Sequence, residues 1–273
     1  ERLVATSFGF ALPAGSTIRG IVVDMERSAS HATPARHYTD YEVLLLKGGA
    51  VSAAGNHADP VTRWPTSPTN AQYGAADDLW SESWTAADIA DPGFGVAVAA
   101  ARGGSGGGAL SAAVDRVAIT VHYDLPSYDI VAVAGPNGNV SPLGTVAVTY
   151  GQGTNFVITA MAHHHVSAII TNGVPVPAAY DNSLAATNSL WENVTATGTL
   201  VAAFAENCWA YGTPETWLSA HYPATNDYNA AALSDTDGDG MAAWEEYIAG
   251  TAPTDPASSF AITAVDRIVG SNV

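Results

Sequence analysis

Residues 234–247, with the sequence SDTDGDGMAAWEEY, place oxygen-bearing side chains at spacings that suit a cation. Three aspartates occupy alternate positions, a glycine follows the third, and a glutamate lies seven residues beyond it. Counted from the first aspartate, the acids stand at positions 1, 3, 5 and 12, which is how a 12-residue loop holds Ca²⁺ with a glycine at position 6 and a carbonyl at position 7. The predicted metal ligands are Asp235, Asp237, Asp239, the main-chain carbonyl of Met241, and Glu246.

Two other interpretations of this acidic stretch are a solvated turn and a pair of catalytic acids. Four carboxylates this close together repel one another strongly when no cation is present, which favours a metal site. Mg²⁺ fits less well than Ca²⁺ because it usually keeps several of its waters. The stretch therefore predicts calcium as the cofactor.

The residues around the loop add a resemblance. DTDGDGMAAWEEYIAGTAPTDPASSF, residues 235–260, resembles the thrombospondin type-3-like and dockerin-like calcium repeats of bacterial surface proteins. Matched position by position, the resemblance implies the same five metal ligands as the spacing does. Such repeats often carry Asp where this chain has Ala252, so Asp255 is the remaining candidate for a second metal site. A dockerin would need a duplicated loop, and this chain has one, so docking to a cohesin is not expected.

Three consecutive histidines are the next group that could do chemistry. Adjacent residues on a strand point to opposite faces, so only His163 and His165 can share one. No cysteine or acid lies at a recognisable metal spacing from them. We interpret residues 163–165 as exposed strand histidines, with an opportunistic metal site as the alternative.

Motifs for nucleophilic or zinc-dependent catalysis are missing from the sequence. It contains neither a G-x-S-x-G elbow nor an H-E-x-x-H run, and no pair of acids is marked as that of a glycosidase. The single cysteine, Cys208, lies beside Trp209 and is interpreted as a small buried hydrophobic residue, with an intermolecular disulfide as the alternative. The chain is therefore predicted not to be an enzyme.

Three tryptophans lie in a Pro- and Asp-rich connection, residues 56–92. Trp64, Trp80 and Trp84 fit two interpretations: a lid packed over the edge of a sheet, or an aromatic platform that binds carbohydrate.

A glycosylation sequon is also present. NVT at residues 193–195 makes Asn193 a candidate glycosylation site.

Charge and composition limit the partners. The 273 residues include 26 acidic and 9 basic side chains, a formal charge of −17, so nucleic acid and anionic membranes are poor partners. Charged residues make up only 13% of the chain, which suits an exported surface of small polar residues. No apolar run approaches the roughly 18 residues that cross a membrane. We predict a secreted, extracellular or cell-surface protein without membrane insertion.

The first 124 residues predict an antiparallel β-sandwich, jelly-roll-like in architecture. In STIRGIVVDMERS, Ile21, Val23 and Met25 lie on one face and Val22, Asp24 and Glu26 on the other, and turns rich in Gly and Pro separate such runs. The pieces ATSFGFALPAGSTIRGIVVDMERSA, WPTSPTNAQYGAADDLW and VDRVAITVHY resemble a β-sandwich module of bacterial surface proteins and phage structural proteins. That resemblance covers residues 3–123 and implies architecture and display.

Two further segments follow. Residues 125–206 predict a smaller β domain, in which NGNVSPLGTVAVTYG, FVITAMAHHHVSAIITNG and NVTATGTLVAAFA resemble a divergent internalin B-repeat-like module. The resemblance implies a spacer or stalk. Residues 207–257 predict a helix, the calcium loop and a second helix. We expect Thr213 to cap the first helix ahead of Pro214, and Gly250 to end the second.

Residues 258–273 are predicted to form a C-terminal strand or tail. Its assembly residues would be Phe260, Ile262, Ala264 and Ile268. A strand must pair its backbone groups, and no partner strand follows, so we expect it to add to an open sheet edge of another copy. A head-to-tail contact of this kind does not close and therefore propagates.

These features predict a non-enzymatic structural subunit of a bacterial extracellular filament or surface appendage, with copies of itself as partners. One alternative is a carbohydrate-binding or adhesion module that uses the three tryptophans and has glycans as partners. Another is a fragment of a longer cell-surface protein, in which residues 259–273 open a further domain.

Overall fold

The computed structural model of the chain describes residues 1–52, 55–178 and 180–262. Contacts within the chain divide it into two compact units, Glu1–Ser127 and Tyr128–Val273. The predicted domain 1–124 ends just before this division, and the predicted segments 125–206, 207–257 and 258–273 fall almost entirely within the second unit. The mainly-β prediction is confirmed.

The first unit contains two antiparallel sheets. One has the strand order β1-β6-β3-β4 and the other β5-β2-β7. The elements are β1 Leu3–Thr6, β2 Thr17–Ala29, β3 His37–Lys47, β4 Ala50–Val51, β5 Thr69–Tyr73, α1 Ala86–Ala90, β6 Gly95–Gly103 and β7 Ala112–Asp124. Side chains of both sheets share one hydrophobic core. The jelly-roll connectivity stays a prediction.

The alternation in β2 produces its inner face. Ile21, Val23 and Met25 are fully buried, as their spacing predicted, because successive side chains of a strand point to opposite sides of the sheet. β2 pairs along most of its length with β7. β6 and β7 lie in different sheets, so the glycine-rich run between them crosses from one sheet to the other.

The three tryptophans of the connection belong to this core, and the predicted carbohydrate platform there is wrong. Trp64, Trp80 and Trp84 are all buried. Their indole N–H groups donate within the unit, to Oδ1 of Asp40 at 2.8 Å, to the carbonyl of Ile21 at 2.8 Å and to the carbonyl of Leu79 at 3.0 Å. A lid that closes the core hides both the ring faces and the N–H groups from any sugar.

The second unit begins with two further sheets, ordered β10-β8-β15-β12-β13 and β14-β11-β9. The β8–β15 pair is parallel, and the β12–β15, β12–β13, β11–β14 and β11–β9 pairs are antiparallel. The strands are β8 Ser127–Ala134, β9 Gly138–Ser141, β10 Gly144–Thr149, β11 Thr154–Ala160, β12 His164–Thr171, β13 Val174–Pro175, β14 Ala186–Trp191 and β15 Gly198–Glu206. Their inner faces form one hydrophobic core, with Phe156, Ile158 and Leu200 at its centre.

Short helices follow β15 and enclose a small core of their own. They are a 3-10 turn at Ala210–Gly212, α2 Glu215–His221, α3 Tyr228–Ala232 and α4 Ala243–Ala249. α4 ends at Gly250, whose φ of 73° is left-handed, as predicted. The N-cap of α2 is Pro214 rather than Thr213, so the predicted cap is wrong; the Thr213 hydroxyl donates instead to the carbonyl of Ala210. No helix in the described part of the chain is long and apolar enough to cross a membrane.

The start of the predicted C-terminal strand is exposed. Residues 259–262 form no strand, and Phe260 and Ile262 are 63% and 73% exposed. Ala264 and Ile268, the other two predicted assembly residues, lie outside the described residues.

Candidate calcium site

The acidic loop connects α3 to α4, and its own backbone closes it. The N–H of Ala243 donates to the carbonyl of Ser234 at 2.9 Å, which brings the two ends of the loop together. Gly240 has a φ of 98°, a left-handed conformation that side chains rarely adopt, so glycine suits the sixth position. The loop is therefore folded into a tight turn around its aspartates.

Backbone amides hold each aspartate by at least one oxygen. Asp235 accepts hydrogen bonds from the N–H groups of Gly238 at 2.8 Å and Gly240 at 3.1 Å. Oδ1 of Asp237 accepts from the N–H of Asp239 at 3.2 Å, and Oδ1 of Asp239 accepts from that of Met241 at 2.8 Å. One oxygen from each of the three carboxylates lies within 4.8 Å of the others. The carboxylates are thus brought together although like charges repel.

Three carboxylate oxygens at this site are buried without a hydrogen-bond partner. They are Oδ2 of Asp237, Oδ2 of Asp239 and Oε2 of Glu246. The Met241 carbonyl, the predicted main-chain ligand, also accepts no hydrogen bond from the described residues. A buried acceptor without a partner is costly, and a buried carboxylate more so, which makes several in one loop unusual.

Glu246 is the most informative of these residues because it is 0% exposed. α4 carries it at its fourth position, and the helix turns it inward beside Ala243. Oε1 accepts a hydrogen bond from the Thr251 hydroxyl at 3.3 Å, while Oε2 has no partner among the described residues. Burial, and then the charge of Asp237, raise the pKa of Glu246. The charged carboxylate is therefore disfavoured when no cation is bound.

A cation with oxygen ligands fits this arrangement. All the donors are carboxylate or carbonyl oxygens, which hard divalent ions such as Ca²⁺ prefer. Such an ion would give the three unpartnered oxygens a ligand bond and would reduce the repulsion among the acids. The residues at positions 1, 3, 5, 7 and 12 are available for this purpose, as the sequence spacing predicts.

Asp255 does not add a second cluster. Its carboxylate is exposed and accepts a hydrogen bond from the N–H of Ala257 at 3.0 Å. Within residues 1–52, 55–178 and 180–262, the aspartates of the loop form the only group of three metal-binding side chains that meet closely. The structure therefore offers no second acidic group around Asp255 in that part of the chain.

The prediction of exposed strand histidines is only partly right, because His164 and His165 lie in β12 but none of the three histidines is exposed. His163 lies in the turn before β12, with a φ of 65°, and all three side chains are half-buried. Nδ1 of His163 lies 2.9 Å from Oε1 of Glu215, and Nδ1 of His165 lies 2.9 Å from Oδ1 of Asn207. They take part in a hydrogen-bond network that joins the sheet to α2.

Glu215 is the centre of this network, and its role was missed in the sequence. Its other oxygen accepts hydrogen bonds from Asn207 Nδ2 and Trp209 Nε1, each at 2.9 Å. Burial alone would raise the pKa of Glu215, but the hydrogen bonds from His163, Asn207 and Trp209 outweigh it, and the pKa lies below its ordinary value. Since His163 and Glu215 are 52 residues apart, no local spacing could have indicated the pair.

Two further predicted residues lie at the surface. Cys208 is exposed, so its interpretation as a buried hydrophobic residue is wrong. Asn193 is exposed with a φ of 49°, in the turn between β14 and β15, and its glycosylation stays a prediction.

Comparison of the chain with protein-family models and with curated proteins gives no match.

Proposed function

We propose that this protein is a secreted, non-enzymatic structural subunit of a bacterial extracellular filament or surface appendage, which calcium stabilises and which assembles head to tail by strand donation. The observation that carries the proposal is the fully buried Glu246, whose Oε2 has no partner beside three converging aspartates. A bound Ca²⁺ would satisfy that oxygen and fix α4. In this proposal the calcium site stabilises the fold, and the binding partner of the protein is another copy of itself.

Hydrogen bonds connect the loop to the segment that leaves α4. The Thr251 hydroxyl donates to Oε1 of Glu246, and the Thr251 N–H donates to the Glu246 carbonyl at 3.0 Å. The Tyr222 hydroxyl donates to the Pro253 carbonyl at 3.2 Å and accepts from the Thr236 hydroxyl, within the loop, at 3.3 Å. Calcium binding would therefore set the direction in which residues 251–262 continue.

The exposed apolar residues of this segment support strand donation. Phe260 and Ile262 are two positions apart, so both would face the same side of an extended strand. A strand added to a sheet edge gains backbone hydrogen bonds, while pockets for alternate side chains give specificity. Residues 259–273 of one copy are the proposed donor strand.

The first unit contains an edge that could receive such a strand. β1 pairs with β6 only as far as Val98, so residues 99–103 of β6 have no partner on that side within the described residues. A groove of about 600 Å³ lies here, between β6 and the edge strand β7. Its apolar lining includes Leu3, Val98, Ala100, Leu110, Ala112 and Val114. Glu1, Arg2 and Ser111 also line the groove, so a donated strand would meet both apolar and polar groups there.

Electron microscopy of the purified protein tests the proposal. We expect filaments in calcium and loss of filaments in a chelator. Deletion of residues 259–273 should abolish assembly and leave both units folded, as measured by circular dichroism. The double substitution Phe260→Asp and Ile262→Asp should act like the deletion, whereas Val61→Asp, at another highly exposed position, should not. Monodisperse particles in calcium would reject assembly and favour a fragment of a longer surface protein.

A further inference from the structure

A group of aromatic side chains lies on the surface of the helical segment. We call it the aromatic patch and define it by Tyr211, Trp217, Trp244 and Tyr247. The rings of Tyr211 and Trp244 lie 4.2 Å apart at 32°, and those of Trp217 and Tyr247 lie 5.4 Å apart at 63°. Tyr211 is 72% exposed, Tyr247 is exposed, and the two tryptophans are half-buried. The patch differs in this respect from the tryptophans of the first unit.

α4 gives the patch its continuity. Trp244, Tyr247 and Ile248 stand at positions i, i+3 and i+4, which lie on one face of a helix. Ala243 and Glu246 point inward from the same helix. α4 therefore has a buried side beside the calcium loop and a second apolar side at the surface, where Ile248 is exposed.

The polar groups of the aromatic patch form no hydrogen bonds with the described residues. The indole N–H groups of Trp64, Trp80, Trp84 and Trp209 all donate within the protein. Within the described residues, Nε1 of Trp217, Nε1 of Trp244 and the Tyr211 hydroxyl have no hydrogen-bond partner, and none of the three is a buried atom. These donors therefore face solvent around exposed ring surfaces.

The backbone at Tyr211 is strained in a way that presents the ring. Its φ of 54° and ψ of 26° are left-handed, a conformation that a bulky aromatic residue seldom adopts. The Gly212 N–H donates to the Trp209 carbonyl at 2.9 Å, and the Thr213 N–H to the Ala210 carbonyl at 3.2 Å, so the turn is held in place. The result is a tyrosine laid on Trp244 with most of its surface in water, although burial would be favourable for it.

We propose that the aromatic patch binds a neutral polysaccharide of hexopyranoses. The C–H face of a pyranose ring packs on an aromatic ring, and its hydroxyls suit the free indole N–H and phenol groups at the rim. Charge narrows the choice of ligand. With a formal charge of −17, the chain repels sulfated polymers, uronic acid polymers and lipid phosphates, whereas a neutral sugar meets no such repulsion.

This inference does not rest on the proposed assembly, because the patch shares no residue with residues 259–273 or with the groove of the first unit. It also differs from the rejected platform of Trp64, Trp80 and Trp84, whose rings are buried.

Isothermal titration calorimetry with cellohexaose, maltohexaose and chitohexaose, which include both β- and α-linked sugars, tests the site in buffer that contains calcium. We expect at least one of them to bind. Tyr211→Ala and Trp244→Ala should each lower the association constant about tenfold or more, as truncation of a central aromatic anchor does. Trp244→Phe, which keeps a ring and removes the N–H, should lose less. Tyr41→Ala is the matched control, since Tyr41 is an exposed tyrosine of the first unit.

Three results would overturn the inference: no binding of any of the three oligosaccharides, binding that Tyr211→Ala and Trp244→Ala leave unchanged, or an equal loss in Tyr41→Ala. Sedimentation velocity of the same variants tests the other possible occupant of the patch, a second copy of the chain. If the two patch substitutions change self-association and no sugar binds, the patch is an interface between copies. Because Tyr211 is largely exposed, Tyr211→Ala keeps the test valid even if Trp244→Ala fails to fold.

Discussion

At the scale of single residues, Glu245 and Glu246 have the same side chain and different tasks. Oε2 of Glu245 accepts a hydrogen bond from the N–H of Ala242 at 2.8 Å, so it caps the start of α4. Glu246 points inward with an unpartnered oxygen. One step along a helix rotates a side chain by roughly 100°, which is enough to separate a capping acid from a candidate metal ligand.

The substitution Glu246→Gln should therefore have opposite effects with and without calcium. Loss of an outer-shell partner costs about 10- to 100-fold in metal affinity, so loss of a direct ligand should cost about 100-fold or more. In a chelator the same substitution should stabilise the second unit by about 1–3 kcal/mol, because it removes a buried, unsatisfied charge. Calcium titration calorimetry and urea unfolding measure the two effects.

Glu245→Gln is the matched control for that experiment. Its amide oxygen can still accept the capping hydrogen bond, so calcium affinity should change little. Equal losses of affinity in the two variants would show that general charge, and not a ligand at position 12, attracts the ion.

At the scale of elements, the network around Glu215 fixes α2 against the sheet. The turn before β12 supplies His163, and the chain after β15 supplies Asn207 and Trp209. The backbone strengthens the same joint, since the Asn207 N–H donates to the His163 carbonyl at 2.9 Å and the Glu215 N–H to the Asn207 carbonyl at 2.8 Å. The helical segment is thus joined to the sheet of its own unit by polar contacts.

The stability of this joint should depend on pH with a definite sign. The pKa of Glu215 is lowered in the folded protein, so its contribution is present above about pH 4.5 and is lost as the pH falls through the lower, folded value. At neutral pH, Glu215→Gln should cost about 1.5–3 kcal/mol, the range for hydrogen bonds to a charged group. Urea unfolding at several pH values should show the difference between wild type and variant shrinking below pH 4.5.

Glu192→Gln, at an exposed glutamate of the same unit, is the control for the pH series. Its free energy of unfolding should follow that of the wild type. A difference between wild type and Glu215→Gln that stays constant down to pH 3 would mean that the Glu215 carboxylate does not contribute through its charge.

Sequence predicts the elements whose causes are local. The alternation in β2, the end of α4 at Gly250 and the spacing of the acidic loop each depend on residues a few positions apart. The placement of Trp64 depends on Asp40, and that of Trp80 on the carbonyl of Ile21, which are 24 and 59 positions away. The pairing of His163 with Glu215 could not be predicted for the same reason, since the two residues are 52 positions apart. Local pattern could not show that these tryptophans were buried while the aromatic patch was exposed.

At the scale of the whole molecule, charge opposes association. Each copy carries a formal charge of −17, so two copies repel at low ionic strength. Salt reduces this repulsion, since the screening length falls to about 10 Å at 0.1 M. Calcium would act in two ways, by screening and by binding in the acidic loop, and an assembly experiment must separate them.

A comparison of NaCl, MgCl₂ and CaCl₂ at equal ionic strength separates the two effects. We expect NaCl and MgCl₂ to promote assembly slightly and equally, because they only screen, and CaCl₂ to promote it much more at about 10⁻⁴–10⁻³ M, where extracellular calcium modules bind. Light scattering measures the extent of assembly. Glu246→Gln should remove the additional effect of calcium and keep the effect of NaCl, since it alters the loop and changes the formal charge by only one unit. If magnesium and calcium act equally at equal ionic strength, the loop does not control assembly, and calcium acts only on the charge of the whole molecule.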